Sequence, residues 1–177
     1  MLSLDMSNMK DKKILLVDDE IDILNLLETV LKKEGFNNIY KTTSGNEAIK
    51  MCEKMEPDLI VLDIMLPDID GFEVCRRLRE FSLAPIIFLS AKDDDVDKLL
   101  GLGIGGDDYI TKPFSPKEVA FRIKAHFRRS EYYNLKGKPQ GKKVIPFGDI
   151  EIDEEKGEVR KKGKIVALTF KEYKLLL

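Results

Sequence analysis

Three short apolar runs, in which hydrophobic and polar residues do not alternate, constrain the fold of this chain most strongly. They are ILLV at 14–17, LIVL at 59–62 and IIFL at 86–89. A strand that is apolar on both sides must be covered on both faces, as happens in a parallel sheet flanked by helices. The runs therefore predict buried strands of an α/β domain, and 39–42 and 109–110 are two further strand candidates.

Helical periodicity fills the segments between these runs. The first segment carries apolar residues at helical spacing before Gly35: Ile23, Leu26, Leu27, Val30 and Leu31. Similar patterns predict helices around 48–55, 71–81 and 93–102, and another after Ser115. Strands and helices thus alternate through residues 11–129, which predicts a doubly wound, five-stranded parallel sheet.

The remainder of the chain follows a different pattern. Segment 130–143 is polar, rich in Lys and Gly, and contains Pro139, which is typical of a linker. Segment 144–177 contains short strand candidates, a hairpin around Gly163, and a T-x-x-E capping box at Thr169 that begins a helix. Because 177 − 143 leaves 34 residues, fewer than the roughly 40 that usually fold unaided, we expect a small antiparallel β piece of an incomplete domain.

Composition limits the functional classes. The 30 basic and 32 acidic residues give a net charge of −2, so the chain lacks the basic excess of a dedicated nucleic-acid binder. The basic run at 160–164 is interpreted as a solvated hairpin turn. Cys52 and Cys75 match no metal spacing and are predicted to be buried thiols. Neither an apolar signal region nor a run of about 18 apolar residues is found, which predicts a cytoplasmic protein without a membrane partner.

Carboxylates collect at the carboxyl ends of the predicted strands. Asp18 and Asp19 follow the first strand, Asp63 follows the third, and Ser90 and Lys112 end the fourth and fifth. Ligands bind at this edge of a parallel sheet, so adjacent first and third strands would bring the three Asp side chains together. Three carboxylates and one ammonium sum to −3 + 1 = −2, a charge that favours a bound cation. The pattern predicts Mg²⁺-dependent phosphoryl transfer to a carboxylate.

Each of these residues has a predicted role. Asp63 is the nucleophile and also a metal ligand, Asp19 is a direct metal ligand, and Asp18 is a ligand that acts through water. The backbone carbonyl of Met65 is a further candidate ligand, and Lys112 would neutralise the phosphoryl oxygens. Acidic residues after strands can also solvate a loop or cap a helix, an interpretation that stays open for Asp18 or Glu20 taken alone.

Four motifs, taken in order, resemble the receiver domains of two-component response regulators, which have the CheY-like (flavodoxin-like) fold. They are LLVDDE, LIVLDIMLPDIDG around Asp63, FLSA around Ser90, and GGDDYITKPF around Lys112. The last is similar to the OmpR/PhoB subfamily in particular. The segment from Phe147 resembles the start of that subfamily's winged-helix DNA-binding domain, cut short. Gly106 stands where the family commonly has Ala, which predicts a looser loop before the fifth strand.

The resemblance implies a regulator that accepts phosphate on Asp63 from a sensor histidine kinase and does not turn over a substrate. It implies that Ser90 and Tyr109 form the switch that reads the phosphate, with Lys112 pairing to the phosphoryl group. It also implies a homodimer through the helix at 93–102, the fifth strand and the last helix. The implied interface is an apolar patch with two ion pairs: Leu99, Leu102 and Ala120, then Lys98–Glu118 and Asp108–Arg122. DNA binding is expected only through the missing remainder of the effector domain, and none of it in this chain alone.

Three alternatives compete with this interpretation. A haloacid-dehalogenase-type phosphatase needs a second Asp two residues after the nucleophile, and Met65 occupies that position. A flavodoxin-like FMN carrier needs a phosphate-binding loop after the first strand, where the acidic run at 18–20 would repel phosphate. A receiver that signals without phosphorylation remains open. His126, the only histidine, is predicted to face solvent or flank a dimer contact.

Overall fold

The architecture comes from a computed structural model, which describes residues 6–92, 94–136, 144–147, 150–153 and 158–166. The chain divides into two compact units, Met1–Arg128 and Arg129–Leu177. The first unit contains a five-stranded sheet. Its strands are β1 (Lys13–Val17), β2 (Asn38–Thr42), β3 (Leu59–Leu62), β4 (Ile86–Ser90) and β5 (Asp108–Thr111).

The order of these strands is β2-β1-β3-β4-β5, and every neighbouring pair is parallel. The predicted doubly wound sheet is therefore confirmed. Adjacent residues of each strand point to opposite faces, so Ile14 and Leu16 enter one core while Leu15 and Val17 enter the other. This two-sided burial explains why hydrophobic and polar residues do not alternate along β1, β3 and β4.

The helices within the described residues cover both faces of the sheet. They are α1 (Met6–Lys10), α2 (Ile21–Lys33), α3 (Gly45–Met55), α4 (Gly71–Leu78), α5 (Asp95–Gly103) and α6 (Pro116–Lys136). Helices α2 and α6 pack in one core, and α3 and α4 pack in the other. Cys52 and Cys75 are both buried in the second core, as predicted, and burial raises the pKa of the Cys52 thiol to about 12. None of the described helices is long and apolar enough to cross a membrane.

Two helices differ from the sequence prediction. Helix α1 was not predicted because five residues are too few to show a period, yet its Met9 is buried in the core with α2 and α6. Helix α6 continues through Lys136, so 130–136 is helical where a linker was predicted. That stretch contains neither Gly nor Pro, so the sequence has no strong helix breaker before Gly137. The rest of the predicted linker, 137–143, lies outside the described residues.

The second unit contains an antiparallel sheet in the order β6-β7-β8-β9. Its strands are β6 (Val144–Phe147), β7 (Ile150–Asp153), β8 (Glu158–Lys161) and β9 (Lys164–Val166). Lys162 and Gly163 join β8 to β9 with φ values of 51° and 79°, the positive angles that a two-residue hairpin turn requires at both positions. The predicted hairpin is confirmed, and the predicted helix after Thr169 lies outside the described residues.

Gly106 packs against the ring of Phe88. A Cβ atom at Gly106 would lie 2.4 Å from Cε2 of Phe88, and one at Gly101 would lie 3.1 Å from atoms of the same ring. Phe88 is completely buried between Phe72, at a ring-centroid distance of 5.4 Å, and Tyr109, at 6.0 Å. The prediction that Gly106 merely loosens its loop is therefore wrong. Glycine at this position leaves the space that a bulky aromatic side chain on β4 occupies.

We therefore expect Gly106→Ala to destabilise the protein by about 1–3 kcal/mol, because the new methyl group overpacks the core. Gly103→Ala is the matched control, since a Cβ atom there meets nothing within 4 Å. Urea unfolding would measure both changes. Replacing the ring with a smaller side chain, by Phe88→Leu, should reduce the loss of stability caused by Gly106→Ala in a double-mutant cycle. Equal stabilities for the two glycine variants would contradict this packing.

Candidate functional site

The pairing of β1 with β3 brings Asp18 and Asp63 together at one edge of the sheet. Val17 and Leu62 are register partners, and each is followed by one of these aspartates. The Asp63 N–H donates to the carbonyl of Val17 at 2.9 Å, which continues the ladder past the strand ends. Asp18 is 2% exposed and Asp63 is 3% exposed. Both carboxylates are therefore buried, and Asp19 lies exposed beside them.

Lys112 places its ammonium between the two buried carboxylates. Its Nζ lies 3.0 Å from Oδ2 of Asp18 and 3.1 Å from Oδ2 of Asp63. The carboxylate of the exposed Glu20 is 3.8 Å away. The backbone N–H of Lys112 donates to the carbonyl of Ser90 at 2.9 Å, which fixes the residue just beyond β5. Three strands and their loops thus meet around one cation.

Burial shifts the pKa values of the three charged groups that meet at this edge. Burial raises the pKa of Asp18 to about 6, and burial likewise raises the pKa of Asp63. Although burial lowers the pKa of Lys112, its contacts with Asp18 and Asp63 outweigh that effect and raise it overall. The ionised form of each carboxylate is therefore disfavoured in spite of the neighbouring ammonium.

The residues present fit a Mg²⁺ ion. Asp18, Asp19 and Glu20 each offer a carboxylate oxygen, and these oxygens lie within 4.8 Å of one another. Oδ2 of Asp18 is buried and receives no well-directed hydrogen bond, so its contact with Lys112 is an ion pair that leaves acceptor capacity. Hard oxygen donors and excess negative charge are what Mg²⁺ prefers. Glu20 was not among the predicted ligands, although the acidic run at 18–20 was visible in the sequence.

The Asp63 carboxylate accepts hydrogen bonds from two donors, one on each oxygen. Its Oδ1 accepts from the backbone N–H of Met65 at 3.1 Å, and its Oδ2 accepts from Lys112. The side chain of Met65, 57% exposed, carries no titratable group. Asp63 is thus an oriented, buried carboxylate at the edge of the sheet where the strands end.

Ser90 and Tyr109 meet on the same stretch of backbone. Oγ of the buried Ser90 accepts from the N–H of Lys92 at 3.4 Å. The hydroxyl of Tyr109 donates to the carbonyl of Lys92 at 2.5 Å. A change at Ser90 can therefore reach Tyr109 through the peptide groups of one residue.

The predicted interface residues divide into exposed and buried positions. Leu99 and Leu102 on α5 are 70% and 45% exposed, but Ala120 is 2% exposed and packs in the core with Val119. The prediction that Ala120 lies in a surface patch is wrong, because α6 turns this side toward the sheet. Phe121, 66% exposed, is a large apolar side chain that the described part of α6 presents to solvent, and the sequence reasoning missed it.

Of the two predicted ion pairs, Asp108–Arg122 forms within the chain, and Lys98–Glu118 is not found among the described residues. Arg122 bonds Oδ1 of Asp108 at 2.7 Å and Oε1 of Glu118 at 3.0 Å. Glu118 therefore pairs with Arg122 in place of the predicted partner Lys98. His126 is buried, with Nε2 at 3.5 Å from Oδ2 of Asp108. The prediction that it faces solvent is wrong, and the alternative that it flanks a dimer contact stays a prediction. The neighbouring carboxylate makes this burial of an imidazole possible.

Comparison with known proteins identifies the class of this fold and site. The family model described as "Response regulator receiver domain" matches residues 14–124. The alkaline phosphatase synthesis transcriptional regulatory protein PhoP of Bacillus subtilis is 46% identical over 171 residues, which cover 94% of this chain and 71% of that protein.

Solved structures agree with this result. DrrB of Thermotoga maritima, described as an OmpR/PhoB homolog, is 32% identical with a TM-score of 0.62, and the match covers 93% of this chain and 70% of that one. The beryllofluoride-activated receiver domain of Klebsiella pneumoniae RstA is 34% identical with a TM-score of 0.63, covering 66% and 99%. The chain belongs to the OmpR/PhoB family of two-component response regulators, and residues 14–124 are its receiver domain.

The raised pKa of Asp18 predicts a pH dependence of stability in the absence of metal. Because the folded-state pKa of about 6 exceeds the ordinary value of 3.8, the folded protein binds this proton more tightly than the unfolded chain. The contribution of Asp18 to the free energy of unfolding should therefore fall as pH rises from about 4 to about 6. Asp18→Asn should stabilise the protein by roughly 1–3 kcal/mol at pH 7.5, and the gain should vanish near pH 4.

Urea unfolding in EDTA across this pH range tests the expectation. Asp22→Asn, which removes an exposed carboxylate from the first turn of α2, controls for the loss of one acidic charge. A stabilisation by Asp18→Asn that is the same at every pH would contradict the assigned cause.

Proposed function

We propose that this receiver domain is switched by phosphorylation of Asp63. A carboxylate oxygen of Asp63 attacks the phosphorus of a kinase phosphohistidine, the P–N bond breaks, and an acyl phosphate forms on Asp63. The observation that carries the proposal is the orientation of the buried Asp63 by Lys112 and the Met65 N–H, beside a second carboxylate group. Phosphoryl transfer mainly requires that the nucleophile is oriented and that the charge on the phosphoryl oxygens is neutralised.

The residues around Asp63 divide the work of this transfer. The Met65 N–H holds one oxygen of Asp63 and so aims the other. Lys112, already 3.1 Å from Asp63, neutralises a phosphoryl oxygen as charge spreads over it. Mg²⁺, held by Asp18, Asp19 and the Met65 carbonyl, supplies neutralisation of the remaining phosphoryl oxygens when it is bound.

The acceptor is proposed to hold its phosphate and not to act as a turnover enzyme. Hydrolysis of an acyl phosphate is faster when a neighbouring acid or base moves a proton. The position two residues after Asp63 is the apolar, exposed Met65, which cannot do so. A phosphatase acting on small phosphate esters is the competing reading, and steady turnover of such an ester would favour it.

The phosphorylated state is proposed to act through Ser90, Lys92 and Tyr109. The Ser90 hydroxyl donates to a phosphoryl oxygen, which shifts the Lys92 backbone that Tyr109 also contacts. Both moves favour one packing of the β4–α5 loop over another. A shift of population from 1:99 to 99:1 needs about 5.5 kcal/mol of differential stabilisation, which charge-assisted hydrogen bonds and the Lys112 ion pair are proposed to supply.

The surface moved by this switch is proposed to be a dimer interface on α5, β5 and α6. Leu99 and Phe121 supply exposed apolar area, and Arg122 lies between Asp108 and Glu118. In a two-fold dimer these ion pairs can exchange between subunits, so each residue is used twice. Exposed pairs contribute about 0–1 kcal/mol each and set geometry more than affinity. The Bacillus relative is named a transcriptional regulatory protein, and we propose that dimerisation of the whole protein controls DNA binding.

The kinase is proposed to dock beside the acidic edge, on α2. Ile21 and Leu26 are 62% and 47% exposed on this helix, and Ile21 directly follows Glu20. Exposed apolar side chains beside a reactive group are what a transient partner helix would cover.

Incubation with acetyl phosphate and Mg²⁺ should add the mass of one phosphoryl group to the wild-type chain. Asp63→Asn should remain unmodified because it lacks the nucleophilic carboxylate, and EDTA should block labelling of the wild type. Intact-mass spectrometry measures both results, with Asp22→Asn as a control that should be labelled normally. Labelling of Asp63→Asn, or equal labelling in EDTA, would refute the assignment.

Beryllofluoride with Mg²⁺ should convert the chain from monomer to dimer in sedimentation velocity. Arg122→Glu should prevent this conversion, because it places like charge beside Asp108 and Glu118. The matched control is Arg76→Glu, which reverses the charge of another exposed helical arginine that pairs with a carboxylate, on α4. Ser90→Ala should accept phosphate and yet stay monomeric. Dimerisation of Arg122→Glu as strong as that of the wild type would exclude this interface.

A further inference from the structure

Asp68 connects the loop after Asp63 to the first turn of α3. Its Oδ1 accepts from the N–H of Gly45 at 2.9 Å, and its Oδ2 accepts from the N–H of Asn46 at 2.8 Å and from Oγ of Ser44 at 2.7 Å. The first N–H groups of a helix lack partners inside the helix, so a carboxylate from a distant segment can bind them. The pKa of Asp68 is lowered, since these hydrogen bonds to its charged form outweigh slight burial.

Asp68 lies in a loop, residues 65–70, that also carries Met65. The N–H of Gly71 donates to the carbonyl of Ile64 at 2.8 Å, so the chain leaves the sheet edge after Ile64 and returns to it at Gly71. Met65 lies at the start of this excursion, and Asp68 lies near its tip. Of the hydrogen bonds found within the described residues, those that join 65–70 to a different segment of the fold all end on Asp68.

The same helix start is also tied to the loop after β1. The N–H of Ser44 donates to Oγ1 of Thr42 at 3.2 Å, and the N–H of Asp18 donates to the carbonyl of Thr42 at 3.3 Å. Asp68 therefore joins the segment that carries Met65 to the segment that carries Asp18. These two segments carry the proposed metal ligands.

We infer that Asp68 is a positioning residue for the metal, which holds the Met65 carbonyl in place relative to Asp18 and Asp19. This inference rests on the proposed function, because it concerns the affinity of the same site for Mg²⁺. Residues that orient metal ligands without touching the metal typically change its affinity by about 10–100-fold when they are removed. For one exposed tether we expect about the lower end of that range.

The competing reading is that Asp68 only caps α3 and contributes to stability. Asp70 offers a matched control for it, since Asp70 lies in the same loop and its Oδ1 accepts from the N–H of Phe72 at 2.7 Å to cap α4. That bond stays within the loop and the helix that follows it, and reaches no other segment of the sheet edge. A cap alone should make Asp68→Ala and Asp70→Ala behave alike.

Isothermal titration calorimetry with MgCl₂ on the full chain tests the inference, together with urea unfolding in EDTA. We expect Asp68→Ala to weaken Mg²⁺ binding about 10-fold and Asp70→Ala to leave it within about 2-fold, while both lower stability. Asp68→Asn, in which an amide group faces the helix N–H donors, should fall between wild type and Asp68→Ala.

The outcomes separate this inference from the proposed function. A wild-type chain that binds no Mg²⁺ would overturn both. Wild-type binding with unchanged affinity in Asp68→Ala and Asp68→Asn would overturn the positioning role alone. Equal weakening in Asp68→Ala and Asp70→Ala would also overturn it, because general loosening of the loop would then explain the effect.

Discussion

The contact of one ammonium group with two buried carboxylates is the interaction on which the site depends. Lys112 can bridge Asp18 and Asp63 only because β1 and β3 are neighbours and because β5 ends at the same edge of the sheet. Burial of two acids around one base leaves the ionised acids disfavoured, as the raised pKa of Asp18 shows. A divalent cation, or a phosphoryl group together with its metal, would offset the cost of burying these negative charges. Its binding would therefore raise the free energy of unfolding.

Contacts around this edge connect Ser90 to the aromatic core on one side of the sheet. Ser90 and Tyr109 both bond the backbone of Lys92, and the Tyr109 ring rests on Phe88. Phe88 in turn fills the space left by Gly101 and Gly106. A closely packed aromatic core of this kind moves between discrete arrangements more readily than it deforms. Phe88, Tyr109 and the two glycines therefore form one closely packed cluster, and a movement of the Tyr109 ring requires Phe88 to adjust as well.

Several sequence interpretations failed where the outcome depended on which side of an element faces the core. Ala120 and His126 lie on α6, whose polar residues made its exposed side hard to locate, and both are buried. Gly106 was interpreted by comparison with the common alanine, but its meaning depends on Phe88, eighteen positions earlier in the chain (106 − 88). The partner of Glu118 likewise depended on side-chain reach that spacing between separate elements does not define.

The sequence by itself determined the α/β class, the strands, the edge at which the acidic residues gather, and the candidate acceptor Asp63. These follow from local patterns: apolar runs without alternation require a sheet covered on both faces, and parallel strands end at a common edge. Only the tertiary structure decided that Lys112 bridges Asp18 and Asp63, that Glu20 joins the acidic group, and that Asp68 reaches α3. The contacts of Lys112 and Asp68 join residues far apart in the chain. Their distances depend on how helices and loops pack on the sheet, and residue order does not specify that packing.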